Sequence, residues 1–122
     1  MPDNKPAYLV ACGTFLGEVN PEYSERATGP AQRAGLTPIA GGPIGDKVEL
    51  LEGELPEGVG FLAIEQFDSF DALRKFWFSE EYQSAIPFRK DSVKMHFVAA
   101  LDGTTREEML ERIAAARTNE KK

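Results

Sequence analysis

The sequence predicts an α+β domain with an antiparallel sheet, whose elements follow one another in the order β-α-β-β-α-β. Apolar runs of strand length occupy residues 7–15 and 93–101, towards the two ends of the chain. Helix N-cap residues stand after the first and third predicted strands, at Asn20 and Ser69. A glycine-rich segment at 41–46 separates two further strand-like runs, as expected of a tight turn.

The first half of the chain predicts a buried strand followed by a helix. Residues 7–15 are almost continuously apolar, which is typical of a central strand covered on both faces. Asn20 caps the helix, and Pro21 takes the first helical position, where its missing N–H costs nothing. The helix is predicted over 22–34, with an interruption at Gly29-Pro30, because proline removes a hydrogen bond and clashes with the preceding turn.

The middle of the chain predicts a hairpin. A second strand at 36–40 is expected to turn over 41–46 and to return as an extra arm at 47–52. The glycines do not indicate a phosphate site, because this loop leads into a strand and not into a helix N-terminus. A third strand is predicted over 59–67.

The second half of the chain predicts two short helical segments and a last strand. Asp68 or Ser69 caps a helix over 70–78, and Ser79 caps a further helical segment. The fourth strand spans 93–101.

Beyond the fourth strand, residues 104–118 predict an amphipathic helix. Thr105 and Glu108 have capping-box spacing. An apolar stripe at helical spacing follows, formed by Met109, Leu110, Ile113 and Ala114. We expect this stripe to cover its own subunit or a partner; a lid over a ligand is the alternative. Residues 1–6 and 119–122 are expected to be disordered, which leaves one domain at 7–103.

Composition excludes several function classes. A formal net charge of −6 over 122 residues repels phosphate backbones, so no nucleic-acid partner is expected. No apolar run approaches the roughly 20 residues of a spanning helix, so no membrane partner is expected either. The single cysteine, Cys12, suits a reducing compartment, and we expect a cytoplasmic protein.

Two segments carry a resemblance to a known family. Phe61–Phe67 reads Phe-Leu-Ala-Ile-Glu-Gln-Phe, and Phe76–Gln83 ends in Ser-Glu-Glu-Tyr-Gln, with Arg89 seven positions after Tyr82. Together with Gly41-Gly42, this pattern resembles the domain-of-unknown-function family 1330 over roughly residues 7–103.

The resemblance implies a ferredoxin-like fold that pairs into a dimeric α/β barrel. Its superfamily holds small-molecule monooxygenases, isomerases, cyclases and haem-handling proteins. One position departs from the family pattern: Ala40 stands where relatives commonly have an arginine, which removes an anion contact that the family would otherwise imply.

Glu65 is the first candidate for catalysis. Strand alternation places it on one face with Phe61, Ala63 and Phe67, and the resemblance makes it the family's strand glutamate. A carboxyl group among aromatic rings is expected to have a raised pKa, which suits a general acid or base. The alternative is a structural ion pair, or a hydrogen-bond acceptor for a helix amide or Arg89.

His96 is the second candidate. It is the only histidine, and histidine alone has an unperturbed pKa near neutrality. If the first strand lies between the third and fourth, as the resemblance implies, Glu65 and His96 would point into one cavity near Tyr8. The alternatives are a structural histidine or a haem ligand. One histidine does not make a stable metal site, so neither a metal nor another cofactor is expected.

Six further side chains are candidates for substrate binding, and three of them, Tyr8, Phe61 and Phe67, would line the cavity. Tyr82 and Arg89 lie two helical turns apart, so a continuous helix would bring them to one face. Arg89 would then bind a carboxylate, or tie the helix to Glu65 or to a partner subunit; Pro87 between the two favours the structural role. Tyr23 is expected at the mouth of the cavity.

These residues support three hypotheses of function. The first is cofactor-independent acid/base chemistry of the isomerase, cyclase or lyase type on a small organic molecule, in a homodimer. The second is a non-catalytic dimeric module that binds a hydrophobic metabolite or a protein. The third is cofactor-free or haem-linked monooxygenation.

Overall fold

The fold is a four-stranded antiparallel sheet with helices on one face, as a computed structural model of residues 5–120 describes it. Side chains are described through residue 117. The elements are β1 (Ala7–Phe15), α1 (Pro21–Arg33), β2 (Thr37–Pro43), β3 (Phe61–Phe67), α2 (Phe70–Trp77), α3 (Glu80–Lys90), β4 (Val93–Asp102) and α4 (Arg106–Glu120). The strand order is β2-β3-β1-β4, so the predicted α+β class is confirmed.

The two faces of the sheet differ in what covers them. Leu9 on β1 lies opposite Glu65 on β3 and Ala100 on β4, so these residues share one face, here called the helix-covered face. The core lies between this face and the helices, and its largest buried members are Phe67, Leu73, Phe76 and Tyr82. Tyr8, Thr14 and Phe97 belong to the opposite face, here called the open face.

Helix α1 is not interrupted at Gly29-Pro30, so that prediction was wrong. The helix runs unbroken from Pro21 to Arg33, with Asn20 as its N-cap. Pro30 lies in the last turns, where the ring is buried and only the carbonyl of exposed Arg26 loses its partner. Gly35 follows the helix with φ +78°, a left-handed conformation that glycine adopts without strain.

The predicted hairpin arm at 47–52 is absent, and β2 extends instead to Pro43. Gly41 lies within the strand at φ +91°, and a Cβ there would collide with the carbonyl oxygen of Leu62. The arm would have paired with the outer edge of β2, but residues 47–52 form no strand, and β2 pairs with β3 alone. Residues 44–60 form a loop with one isolated bridge, Ile44 to Val48.

Helix α4 stands away from the core. Thr105 and Glu108 exchange both hydrogen bonds of a capping box, as predicted. The stripe of Met109, Leu110 and Ile113 is exposed, so it does not cover its own subunit. The termini expected to be disordered fall mostly on residues 1–4 and 121–122, outside the described range, and α4 continues to Glu120. No helix within residues 5–120 is long and apolar enough to cross a membrane.

Candidate active site

Helix α3 brings Tyr82 and Arg89 together. Ser79 caps the helix by accepting a hydrogen bond from the backbone N–H of Tyr82. Two turns later the guanidinium of Arg89 donates to the Tyr82 hydroxyl over 3.0 Å. Pro87 does not disturb this geometry, because the helix continues through it and the carbonyl it leaves unbonded belongs to exposed Gln83.

Tyr23 completes what we call the tyrosine–arginine cluster: Tyr23, Tyr82 and Arg89. Its hydroxyl lies 3.0 Å from that of Tyr82, across the interface between α1 and α3. The Arg89 guanidinium also lies 5.8 Å from the centre of the Tyr23 ring, within the range of a cation–π contact. The cluster therefore joins two helices that are far apart in sequence.

The hydrogen bonds of this cluster leave one hydroxyl proton free. Tyr82 accepts from Arg89, and one of the two tyrosines donates to the other. Two hydroxyls carry two protons, so one O–H is left to donate to another group. Burial, followed by the charge and hydrogen bond of Tyr23, raises the pKa of Tyr82 above the usual tyrosine range despite the opposing effect of Arg89. Tyr82 therefore remains a neutral donor.

Arg89 carries a buried charge that forms no ion pair with any carboxylate of the described residues. The residue is only 8% exposed, and its Nε has no hydrogen-bond partner among the described residues. The ion pairs formed by residues 5–117 do not include Arg89, so the expected pair with Glu65 is not formed. Because an unpaired buried charge is costly, this arrangement calls for a reason other than stability.

Glu65 faces the tyrosines across a cavity of about 190 Å³, here called the first cavity. The cavity lies between the sheet and helices α1 and α3, and its walls include Glu65, Tyr23 and Tyr82. Burial raises the pKa of Glu65 above its ordinary value of 4.5, with no opposing contribution from a cation or a hydrogen bond. A carboxyl group and a neutral O–H donor thus border the same cavity.

His96 does not join Glu65, so the expectation of one shared cavity was wrong. Met95 pairs with Gly13 and Phe97 with Cys12, which leaves His96 as the extra residue of a β-bulge. Its Nε2 lies 2.7 Å from the Thr14 hydroxyl, on the open face. Thr14 donates its own proton to the Gly58 carbonyl, so His96 donates through Nε2.

The remaining candidates lie outside the first cavity. Phe67 is fully buried against Phe76, with ring centres 5.4 Å apart, and belongs to the core. Phe61 lies against Gly13 at the end of the sheet, with its ring 5.0 Å from that of Phe15. Tyr8 lies on the open face.

Sequence reasoning missed most of the cavity wall. Helix α1 contributes small side chains at helical spacing: Ser24, Ala27, Thr28 and Ala31. Their small volume leaves space between the helix and the sheet, and their spacing of three and four residues was a signal in the sequence. Leu9, Leu36 and Phe76 complete the apolar part of the wall.

Comparison with known proteins places the chain in a family. The family model described as "Domain of unknown function (DUF1330)" matches residues 6–103. The chain belongs to the DUF1330 family. Its strand glutamate, Glu65, and its Tyr82 and Arg89 all lie inside the matched region. No protein of curated function matches the chain.

Solved structures similar to this DUF1330 chain share its fold at low identity. A protein of unknown function from Rhodopseudomonas palustris has a TM-score of 0.61 at 14% identity, over 84% of this chain and 85% of that one. SnoaB, a cofactor-independent oxygenase from Streptomyces nogalater, has a TM-score of 0.50 at 12% identity, over 83% and 95%. A dimeric protein of unknown function with a ferredoxin-like fold from Bacteroides fragilis has a TM-score of 0.46 at 12% identity, over 82% and 96%.

The side chains of this DUF1330 protein do not assemble an evident metal centre. Within the described part of the chain, no three His, Cys, Asp or Glu side chains are placed to hold a metal ion together. The groups that border the first cavity include a carboxyl with a raised pKa and a phenol that a nearby positive charge polarises.

Proposed function

We propose that this protein is a cofactor-independent enzyme that moves protons on a small organic molecule, in the manner of an isomerase, cyclase or lyase. The observation that carries the proposal is that one cavity is bordered both by the Glu65 carboxyl, which has no ion pair or hydrogen bond among the described residues, and by the spare hydroxyl proton of the tyrosine–arginine cluster. A base and a hydrogen-bond donor on opposite sides of a bound carbonyl compound are what proton transfer next to a carbonyl group requires.

Glu65 acts as the base in this mechanism. Its ionised carboxylate takes a proton from the carbon next to a carbonyl group and later returns it to the same or another carbon. The raised pKa makes the carboxylate a stronger base than an ordinary glutamate, which lowers the barrier to removing a weakly acidic C–H proton.

The tyrosine–arginine cluster stabilises the negative charge that this step creates. The free tyrosine O–H donates to the carbonyl oxygen as it becomes an enolate. Arg89 strengthens that donor, because its charged N–H polarises the Tyr82 hydroxyl. This role explains why the charge of Arg89 is unpaired, because its counterion, the enolate, forms only during the reaction.

The size of the first cavity limits the reacting group. An engineered apolar cavity of about 150 Å³ holds benzene, so a cavity of about 190 Å³ accepts one ring or a group of similar size. A small ketone such as acetophenone fits this limit and has an exchangeable methyl group beside its carbonyl.

Exchange of this methyl group tests the proposal. We expect the protein to accelerate deuterium incorporation into acetophenone in D₂O, followed by proton NMR. Glu65→Gln should lower the protein-dependent rate by about 100-fold or more, as expected when a general base is removed. Glu57→Gln, at an exposed loop position, is the matched control and should keep the full rate. Full exchange by Glu65→Gln would remove Glu65 from the proton-transfer role.

Cofactor-free oxygenation is the second candidate, supported by the shared fold of SnoaB, itself described as a cofactor-independent oxygenase. Deprotonation of a phenol or enol would again be the first step, so Glu65 would keep its role. Oxygen uptake that requires both 1-naphthol and Glu65 would favour this candidate. In a non-catalytic binding module, by contrast, Glu65→Gln would leave ligand binding intact and no turnover would be seen with either variant.

We also propose that the protein works as a homodimer through its open face. Phe97 and Leu101 on that face are 46% and 50% exposed in the single chain, and helices cover the other face alone. A sheet with one bare apolar face is stabilised when a second layer covers it. Native mass spectrometry at micromolar concentration tests this, and a monomer there would contradict it.

A further inference from the structure

A second cavity lies on the other side of Leu9, between α2 and β4. Its volume is about 180 Å³. Its walls are almost entirely apolar and include Leu73, Trp77, Val98 and Ala100. Arg74 and exposed Phe78 also border it, with the Arg74 guanidinium 5.3 Å from the Phe78 ring centre. No group in the proposed proton transfer uses this space.

Leu9 borders both cavities. Its side chain lies on the helix-covered face, opposite Glu65, with the first cavity on one side and the second on the other. A side chain between two spaces makes fewer packing contacts than one enclosed on all sides, and it can change rotamer at lower cost. Leu9 is therefore suited to act as a movable partition.

The volumes favour one ligand across both cavities. Ligand pockets usually measure about 300–1,000 Å³, and each of these cavities alone is smaller than that range. Joined past Leu9, the two reach it. Their chemistry is also complementary, because one holds the carboxyl and hydroxyl groups and the other is apolar.

We propose that the second cavity binds an apolar arm of the substrate, up to one aromatic ring in size, and that Leu9 sets how far this arm reaches. The inference rests on the proposed function, since it takes the first cavity as the place of proton transfer. The substrate class is then a carbonyl compound whose reacting end lies at Glu65 and whose ring or short alkyl group lies among Leu73, Trp77 and Val98.

Two ketones of different length test this proposal with an internal reporter. Acetophenone fits one cavity, whereas 4-phenylbutan-2-one carries a phenyl ring two carbons beyond its carbonyl group. Trp77 is the only tryptophan in the chain and lines the second cavity, and its ring also lies 5.2 Å from that of Tyr82 beside the first cavity. The difference in emission between the two ketones therefore reports occupancy of the second cavity. We expect 4-phenylbutan-2-one to change this emission more than acetophenone does, and to bind about tenfold more tightly.

Val98→Phe fills the second cavity from a wall that the first cavity does not share. We expect it to weaken binding of 4-phenylbutan-2-one by about tenfold and to leave acetophenone unaffected. Leu9→Ala should shift the preference the other way, towards the longer ketone, because it removes the partition. Circular dichroism and thermal unfolding establish whether each variant is folded. If Leu9→Ala does not fold, Val98→Phe alone decides whether the second cavity is part of the site.

The possible failures are separable. If Val98→Phe weakens both ketones equally, or neither, the second cavity is not part of the site, and the inference is overturned even where Glu65→Gln stops exchange. If Val98→Phe selects against the longer ketone while Glu65→Gln exchanges normally, the ligand spans both cavities and the proposed catalysis fails instead. If Trp77 emission changes with protein concentration and not with ketone, a second copy of the chain occupies the second cavity. This result would also overturn the inference.

Discussion

The two faces of the sheet differ in which groups they bury and which they expose. The helix-covered face encloses a carboxyl group, two phenols and a guanidinium, although burial of polar groups is costly. The open face leaves Phe97 and Leu101 exposed, although exposure of apolar groups is unfavourable. Neither arrangement maximises the stability of a single chain. The difference is what we expect if one face receives a ligand and the other a partner, as proposed above.

The largest effect is expected from removing the charge on the helix-covered face. Arg89→Met keeps an apolar stem of similar length but leaves Tyr82 without its charged donor. We expect exchange of acetophenone to fall by about 100- to 1,000-fold, as when an oxyanion-stabilising donor is lost. The free energy of unfolding should stay within about 1 kcal/mol or rise, because the uncompensated buried charge is gone. Urea titration measures this; a large loss of stability with unchanged exchange would assign Arg89 a structural role.

A charge on the open face should disrupt the dimer and leave the helix-covered face intact. We expect Leu101→Asp to raise the dimer dissociation constant by about 100-fold, because a carboxylate would be buried in an apolar contact. Leu51→Asp is the matched control, since Leu51 is 86% exposed in the 44–60 loop. Sedimentation velocity at several concentrations measures both. Equal behaviour of the two variants would mean that the open face is not the interface.

A smaller effect is expected from single hydroxyl groups. Tyr23→Phe removes the hydroxyl that contacts Tyr82, and we expect the free energy of unfolding to fall by about 1 kcal/mol. Tyr8→Phe makes the same change on the open face, where the hydroxyl has no hydrogen-bond partner among the described residues, and should cost under about 0.5 kcal/mol. Chemical denaturation of both variants checks this contrast, which fails if Tyr8→Phe costs as much as Tyr23→Phe.

The smallest effect is a pH dependence from Glu65. Its pKa is raised in the folded state, so the folded protein binds the proton more tightly than the unfolded chain does. The free energy of unfolding should therefore decline as pH rises from the unfolded pKa, near 4.5, through the raised folded value, and then level off. Glu65→Gln should lose this decline relative to wild type in denaturation at pH 4 to 8. Exchange of acetophenone should rise over the same interval, as the base becomes ionised; a decline retained by Glu65→Gln would contradict the assignment.

Local signals in the sequence were enough for most element boundaries. Asn20 and Ser79 cap their helices where the sequence predicts. The capping hydrogen bond joins a side-chain oxygen to a backbone N–H only a few residues away, so local sequence is enough to predict it. The predicted break at Gly29-Pro30 failed because the cost of a proline depends on whether the carbonyl it leaves free can reach water. The hairpin arm failed because strand propensity depends on packing against neighbouring strands, and Leu51 in the predicted arm stays 86% exposed.

The candidate site was predictable in part. Alternation along β3 places Glu65 correctly on the face with Phe67, and helical spacing correctly brings Arg89 to Tyr82. The same alternation failed for His96, because a β-bulge adds one residue to β4 and moves this side chain to the open face. A bulge is set by how two strands pair, which the residues of one strand do not reveal.

The sequence by itself determined the order of the elements, the caps of the helices and the family, because each depends on residues within a few turns or on a motif. Only the tertiary structure decided that Tyr23 meets Tyr82, that Arg89 has no ion pair within the described part of the chain and that Leu9 borders two cavities. These features arise where helices from distant parts of the chain pack on one sheet. The spaces left between them depend on the shapes of all the side chains at once.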